Sequence, residues 1–282
     1  DAIYPMREER NIAPLLLGAL LIASLLLDWS ALVFPIDIFR FPVNILSMAL
    51  WLAVTIELYL KREKWAASRF MLSGSATTLS FVAMVGLGIV FGIQLRPATT
   101  SFTAIIATLF LLTHLLLVTL RGWRNVRGVR WRFVVNHLGL LIAIGAAFWG
   151  APDIEELRAV VEYDKVTTEA YDSKGAMRVL DKEMQLEDFE VEYYDNGTPE
   201  RYEARVRIGE EEATIRVNKP YNISLSESAY LVSYDTQSPD ECRYCIVEVV
   251  REPWRYAIAS GIVLMLVGAV MMLITGVREI LM

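Results

Sequence analysis

The sequence is poor in the residues that most enzymes use for chemistry: its 282 residues include only two histidines and two cysteines. Two thiols are too few for a disulfide framework or for a closed zinc site. The sequence also lacks GxSxG, HExxH and Walker motifs, a glycine-rich phosphate loop and any internal repeat. Neither histidine falls within residues 151–252, where a soluble catalytic domain would have to lie. These absences argue against a hydrolase.

Charged side chains are scarce in six long apolar runs. The chain is 55% hydrophobic with a mean hydropathy of +0.39, which is typical of an integral membrane protein with a polar portion. A bilayer core of ~30 Å needs ~20 mostly apolar residues per helix. We therefore predict six transmembrane helices. The runs occupy residues 12–29, 43–60, 70–93, 102–120, 132–149 and 256–277.

The two parts of the chain carry opposite charge. Residues 151–252 contain 25 acidic and 12 basic residues, a net charge of −13, whereas the remainder has 15 basic and 8 acidic residues, a net charge of +7. An acidic soluble domain is therefore joined to a basic membrane part. No basic soluble domain exists to neutralise phosphates, so we expect no nucleic-acid partner.

Basic residues alternate between the connections of the predicted helices and set their orientation. Lysine and arginine are concentrated in residues 61–69 and in residues 121–132, whereas the connections before and between them are poor in basic residues. Loops rich in these residues remain in the cytoplasm. We therefore expect both termini in the cytoplasm and the acidic domain, between helices five and six, on the outer side.

The acidic domain has the alternation of β-strands. In FEVEYY, Phe189, Val191 and Tyr193 alternate with glutamates, and YEARVRI repeats this pattern after the turn signal DNGTP. The segment PDIEELRAVVEY before them is predicted as a short amphipathic helix. The fold class is thus a polytopic α-helical membrane protein with an all-β, sandwich-like domain. Its predicted parts are residues 1–69 (two-helix segment), 70–150 (helices three to five), 151–253 (β-rich domain) and 254–282 (last helix).

Both histidines fall inside predicted membrane helices. His114 lies seven residues before Arg121, and His137 lies five residues after Arg132. At 1.5 Å per residue, their depths from the basic loop are ~10 Å and ~8 Å. Ionisable residues inside a span mark functional sites by default. Two imidazoles at one level could bind a haem iron, with loop arginines on the propionates, or each could simply hydrogen-bond to a neighbouring helix.

The two cysteines form a CRYC element at the end of the acidic domain. Cys242 and Cys245 are followed by Ile246, so the CxxCH pattern of covalent haem attachment is absent. In a strand, positions i and i+3 face opposite sides, so an intrachain disulfide would require a turn there. A disulfide, a redox pair and two ordinary thiols remain open as predictions.

Several segments together resemble the ResB/CcsB family of cytochrome c biogenesis proteins. They are SFTAIIATLFLLTHLLLVTLRGW, NHLGLLIAIGAAFWG, FEVEYYDNGTPERYEARVRI, IRVNKPY, YLVSYD and the junction VREPWRYAIASG. In that family a span that opens with His-x-Gly leads into an extracytoplasmic β-domain. The resemblance extends from about Phe70 to Met282, so residues 1–69 are an addition to the family pattern.

The resemblance implies a place in the machinery that exports haem and supports its attachment to apocytochrome c (system II) in the bacterial cytoplasmic membrane. His137 would be an axial ligand of haem b, with His114 or a partner as the second ligand. The expected partners are a CcsA/ResC-type membrane protein and apocytochrome c. The partner's tryptophan-rich haem-handling segment is absent here, so we expect a haem-binding or non-catalytic part of a synthetase complex rather than an enzyme acting alone.

Two other functions remain open from the sequence. One is a b-type cytochrome subunit that transfers electrons through a bis-histidine haem. The other is a cofactor-free structural subunit of a larger membrane complex. Electron transfer across a bilayer normally uses two stacked haems, and two histidines can serve only one of them.

Overall fold

The computed structural model describes residues 13–30, 32–93, 98–123, 130–236 and 242–281. Two compact units make up the chain. One unit is helical and comprises Asp1–Pro152 with Tyr256–Met282, and the other, Asp153–Arg255, is formed by β-strands.

The helical unit contains five helices that are long and apolar enough to cross a membrane, namely α2, α4, α5, α6 and α7. The described part of α1 is also apolar but shorter. The predicted third span is interrupted, because a short α3 ends before α4 begins. The helices are α1 (Ala13–Trp29), α2 (Val43–Leu60), α3 (Ala66–Met71), α4 (Gly74–Ile93), α5 (Phe102–Trp123), α6 (Trp131–Gly150) and α7 (Arg255–Leu281).

Helix α5 is the centre of this unit, with the largest buried share of the five long helices. It contacts α1, α2, α4 and α6. Polar side chains tie α2 to it: the indole of Trp51 donates to Thr113 Oγ1 over 3.0 Å, and the hydroxyl of Tyr59 donates to the Leu120 carbonyl over 3.2 Å. Such hydrogen bonds hold helices together where lipid offers none.

The beginning of α5 is capped by a carboxylate from another helix. Asp28, at the end of α1, accepts hydrogen bonds from the backbone N–H of Phe102 (2.9 Å) and of Thr103 (3.1 Å) and from the hydroxyl of Ser101 (2.7 Å). The first N–H groups of a helix lack intrahelical partners and attract negative charge. Asp28 therefore satisfies the start of α5 and anchors α1 to it.

Helices α6 and α7 cross at backbone-to-backbone distance. A Cβ on Gly139 would lie 2.3 Å from the backbone nitrogen of Met265, and one on Gly261 would lie 2.4 Å from that of Ala143. Beside this contact, the Asn136 side chain donates to the Met265 carbonyl over 3.0 Å. Small residues permit this approach, as is common between membrane helices, and the crossing fixes the part of α6 that carries His137.

The β unit contains one antiparallel sheet of eight strands. Its spatial order is β5-β4-β3-β2-β1-β8-β7-β6, and all of its pairs are antiparallel. The strands are β1 (Glu155–Glu162), β2 (Thr167–Tyr171), β3 (Met177–Tyr193), β4 (Pro199–Ile208), β5 (Glu211–Arg216), β6 (Tyr221–Asn222), β7 (Glu227–Tyr234) and β8 (Tyr244–Arg251).

This sheet is continuous, whereas a sandwich would have two separate sheets. It curls until β5 approaches β6 and β7, where the hydroxyl of Tyr221 donates to Glu211 over 2.6 Å. The inner face is a single apolar core that includes Leu186, Val206 and Val247. The predicted turn DNGTP is present, with Gly197 (φ 79°) in the left-handed region that favours glycine, and Gly209 (φ 62°) adopts the same conformation in the turn between β4 and β5. The predicted β-rich character of this unit is therefore confirmed.

The predicted amphipathic helix after α6 is wrong. Apart from a single 3-10 turn at Ala151–Asp153, the segment forms strand β1, which pairs with β8 along its whole length. Leu157, Ala159 and Val161 are buried, while the residues between them point outward. Buried residues recur at every second position, as in a strand. Pairing with β8 satisfies the backbone hydrogen-bonding groups of the segment, and this stabilises the strand more than the weak helical pattern could stabilise a helix.

Candidate functional site

A cavity of about 890 Å³ lies in the helical unit between α4, α5 and α6, and both histidines line it. Its volume is within the range of cofactor pockets, ~300–1,000 Å³. Most of its lining is apolar, and none of its described lining residues is acidic. The other lining residues are Thr77, Ser80, Phe81, Met84, Leu111, Leu115, Val118, Arg121, Gly122, Arg130, Phe133 and Leu140.

His137 has one ring nitrogen engaged and the other available. Its Nδ1 lies 2.9 Å from the Phe133 carbonyl, one turn earlier in α6. Because a carbonyl can only accept, Nδ1 carries the proton of the neutral ring, and Nε2 keeps its lone pair. Nε2 has no hydrogen-bond partner among the residues that the structure describes. The Phe133 ring stacks on the imidazole at a centroid distance of 3.7 Å and further limits its orientation.

His114 has both ring nitrogens engaged. Nδ1 donates to the Met71 carbonyl over 2.7 Å, and Nε2 lies 3.1 Å from the hydroxyl of Thr77. Met71 is the last residue of α3, where helical carbonyls lack intrahelical partners. His114 therefore caps α3, as the hydrogen-bonding alternative from the sequence proposes, while its ring still borders the cavity.

Arginine side chains give one end of the cavity a positive charge. Arg121 and Arg130 both line it, and the guanidinium of Arg121 also donates to the Leu72 carbonyl over 2.9 Å. Arg121 lies two turns after His114 on α5. One face of that helix therefore donates hydrogen bonds to two adjacent carbonyls, those of Met71 and Leu72, at the end of α3. Two further arginines of the predicted basic loop, Arg124 and Arg127, lie outside the described residues.

The lining of the cavity fits the predicted haem in four respects. An imidazole Nε2 with a free lone pair is a good iron ligand, and a hydrogen bond from Nδ1–H to a carbonyl is the usual support for such a ligand. Apolar side chains suit the porphyrin ring, and two guanidinium groups suit its propionates. The role of His137 and His114 as ligands of a haem iron stays a prediction.

The two cysteines lie in the core of the β unit as buried free thiols. Cys242 borders a second cavity of about 810 Å³ and donates from Sγ to the Tyr244 carbonyl over 3.1 Å. Burial raises the pKa of the Cys245 thiol to about 12 and also raises the pKa of the Cys242 thiol. Both groups are therefore protonated at neutral pH and poor nucleophiles. A redox or disulfide role for them stays a prediction.

We expect Cys245 in the folded protein to react with iodoacetamide at pH 8 roughly 1,000-fold more slowly than in the unfolded chain, because raising a thiol pKa by one unit lowers its thiolate fraction tenfold. For the same reason, the free energy of unfolding should fall as the pH rises from the ordinary thiol pKa of 9.0 to about 12, since only the unfolded chain ionises in that window. Timed alkylation followed by mass spectrometry, with and without denaturant, measures the difference in alkylation rate between the folded and the unfolded chain. Labelling in denaturant that appears only after reduction would contradict the free-thiol state.

Sequence reasoning missed Thr77 and Asn136. Thr77 contacts His114 from another helix, and Asn136 contacts Met265 across 129 positions of sequence. A polar side chain within an apolar helix was the available signal, and it carries no information about the partner.

Comparison with known proteins adds a family. Residues 127–252 match the model of the ResB-like family, a range that includes His137 and all eight strands but is shorter than the predicted extent from Phe70 to Met282. No curated protein matches the chain by sequence. Among solved structures, a cytochrome c haem lyase, CcmF, is similar over 95% of this chain, with 12% identity and a TM-score of 0.41, too distant to support an inference. The chain spans 46% of that protein's length. The resemblance seen in the sequence is confirmed over residues 127–252, which are similar to the ResB-like family.

Proposed function

We propose that this membrane protein takes part in cytochrome c maturation and binds haem b in the cavity between α4, α5 and α6. The match of residues 127–252 to the ResB-like family supports the general role. The observation that carries haem binding is the Nε2 of His137, which keeps a free lone pair beside an apolar cavity that ends at two arginines. Haem b is the cargo in this proposal, and it supplies the iron porphyrin that is to be joined to apocytochrome c.

Different residues of the chain would bind different parts of the haem. His137 Nε2 would bind the iron, while the Phe133 carbonyl and ring hold the imidazole in position. Arg121 and Arg130 would pair with the propionates, which are the charged part of the cargo. Leu111, Leu115 and the other apolar lining residues exclude water from the ring, so the charged end alone faces a polar environment.

We propose a topology of six spans with both termini in the cytoplasm and the β unit outside the membrane. The described part of α1 has 17 residues, about 26 Å of helix, which is close to the bilayer core. The basic connections at residues 61–69 and 121–132 would lie in the cytoplasm. Arg121 and Arg130 would then place the charged end of the cavity at the inner face, where newly made haem is available.

The partners in this proposal are a CcsA/ResC-type membrane protein and apocytochrome c. The described lining of the cavity offers a histidine and two arginines but no cysteine or carboxylate, which fits a binding component better than a complete synthetase. The acidic β unit, with a net charge of −13 over residues 151–252, would guide contacts with a basic partner surface.

The test of haem binding is an absorption spectrum of the full chain purified in detergent, after expression with its natural membrane partners. We expect a Soret band with close to one haem per chain. Absence of the band from the wild-type protein, both as purified and after titration with haem, would contradict the proposal. Co-purification with a tryptophan-rich membrane protein would favour maturation over electron transfer, whereas co-purification with a quinone-linked redox complex would favour electron transfer.

A further inference from the structure

The two histidines that line the cavity are not equivalent, and a threonine accounts for the difference. The Nε2 of His137 is available, whereas the Nε2 of His114 is 3.1 Å from the hydroxyl of Thr77. The two rings, which the sequence alone does not distinguish, thus differ in the availability of Nε2.

The tautomer of His114 fixes the direction of its bond to Thr77. Nδ1 must donate to the Met71 carbonyl, which is 2.7 Å away, so Nε2 of the neutral ring carries a lone pair and accepts. The Thr77 hydroxyl is then the donor. Its other acceptor within reach, the Ser73 carbonyl, is farther away at 3.4 Å. The hydroxyl of Thr77 therefore occupies the lone pair that a metal would need.

Thr77 is well placed to act on His114 without supporting the fold itself. It lies near the start of α4, and its side chain is exposed, although it borders the cavity. His114, by contrast, is buried and caps α3. A change at Thr77 can thus alter the availability of His114 Nε2 while the Nδ1 bond keeps the ring in place.

We propose that Thr77 determines how this chain binds haem iron: by occupying the Nε2 of His114, it leaves His137 as the one imidazole of the chain on the iron. A second ligand for the iron would then come from a partner or from the apocytochrome. Loss of the Thr77 hydroxyl would free His114 to serve as that second ligand. This inference rests on the proposed haem binding and makes Thr77 a positioning residue rather than a ligand.

The experiment is optical and electron paramagnetic resonance spectroscopy of the haem-loaded full chain in detergent. Wild type should show iron with a single histidine ligand, and His114→Gln should leave that spectrum unchanged. Thr77→Val removes the hydroxyl at nearly constant shape and should shift the spectrum to the low-spin, bis-histidine form. Thr77→Ser keeps the hydroxyl and should match wild type.

Two controls make the outcome specific. Thr78→Val alters the next residue of α4, whose hydroxyl bonds to the Gly74 carbonyl of the same helix, and should leave the spectrum unchanged. Adding His114→Gln to Thr77→Val should restore the single-histidine spectrum. A bis-histidine wild type that loses one ligand with His114→Gln, or a Thr77→Val spectrum identical to wild type, would overturn the inference while haem binding stands. Absence of any Soret band in wild type would overturn haem binding itself.

Discussion

The variant His137→Ala is expected to lose its haem, with an affinity at least about 100-fold below that of wild type. The change removes the Nε2 that faces the cavity without a partner. Loss of residues that merely support a metal ligand already costs 10–100-fold, so loss of the ligand should cost no less. The measurement is a haem titration of the purified variant, followed by the Soret absorbance and the stoichiometry after gel filtration.

Two controls separate loss of the ligand from loss of the fold. His114→Gln alters the other ring on the same cavity and should retain haem, because the Nε2 of His114 is already engaged by Thr77. Imidazole added to His137→Gly should restore part of the Soret band by filling the space of the lost ring. Full haem retention by His137→Ala would rule out His137 as the ligand.

The variant Gly139→Ala is expected to lower the stability of the helical unit by about 3 kcal/mol, which corresponds to the upper end of overpacking costs. The added Cβ would lie 2.3 Å from the Met265 backbone nitrogen and 2.7 Å from the Gly261 carbonyl oxygen. Because both neighbours are backbone atoms, relief requires α6 and α7 to move apart, which would also strain the bond from Asn136 to the Met265 carbonyl. Thermal unfolding in detergent, followed by tryptophan fluorescence, measures the effect.

Gly86→Ala is the matched control for this substitution. Gly86 also lies inside an apolar helix, α4, but a Cβ there meets nothing within 4 Å. Alanine should therefore be tolerated, with a gain of about 0.5–1 kcal/mol from the lower conformational freedom of the unfolded chain. Equal effects of the two alanines on the unfolding temperature would show that the close crossing of α6 and α7 does not limit stability.

The long helices and the β unit were predictable because their signals are local. Each apolar run is long enough to indicate a membrane-spanning helix by its own length and composition, whatever it packs against. Phe189, Val191 and Tyr193 alternate with glutamates because one face of their strand is buried, and this alternation needs no knowledge of the neighbouring strand. The family resemblance also depends on local signals, namely several short motifs in a fixed order.

The errors arose where a segment's conformation is decided by its partner. The mixture of glutamate with leucine and alanine in strand β1 resembles a surface helix, but its full-length pairing with β8 satisfies its backbone and buries Leu157, Ala159 and Val161. The sheet is likewise continuous instead of sandwich-like, because its closure depends on the approach of β5, at one edge of the sheet, to β6 and β7 at the other edge, and no local pattern shows this.

The sequence by itself determined that this is a membrane protein with an acidic β-rich unit and two histidines at similar depth in neighbouring helices. The tertiary structure decided which hydrogen bonds each histidine ring makes. His137 has a carbonyl of its own helix for Nδ1 and an available Nε2, whereas His114 meets Met71 from α3 and Thr77 from α4. Spacing along a chain sets the depth of a residue in its helix, but the bonds of its ring depend on which other helices pack around it. Because of this difference, His137 is the proposed iron ligand, whereas both ring nitrogens of His114 are held in hydrogen bonds.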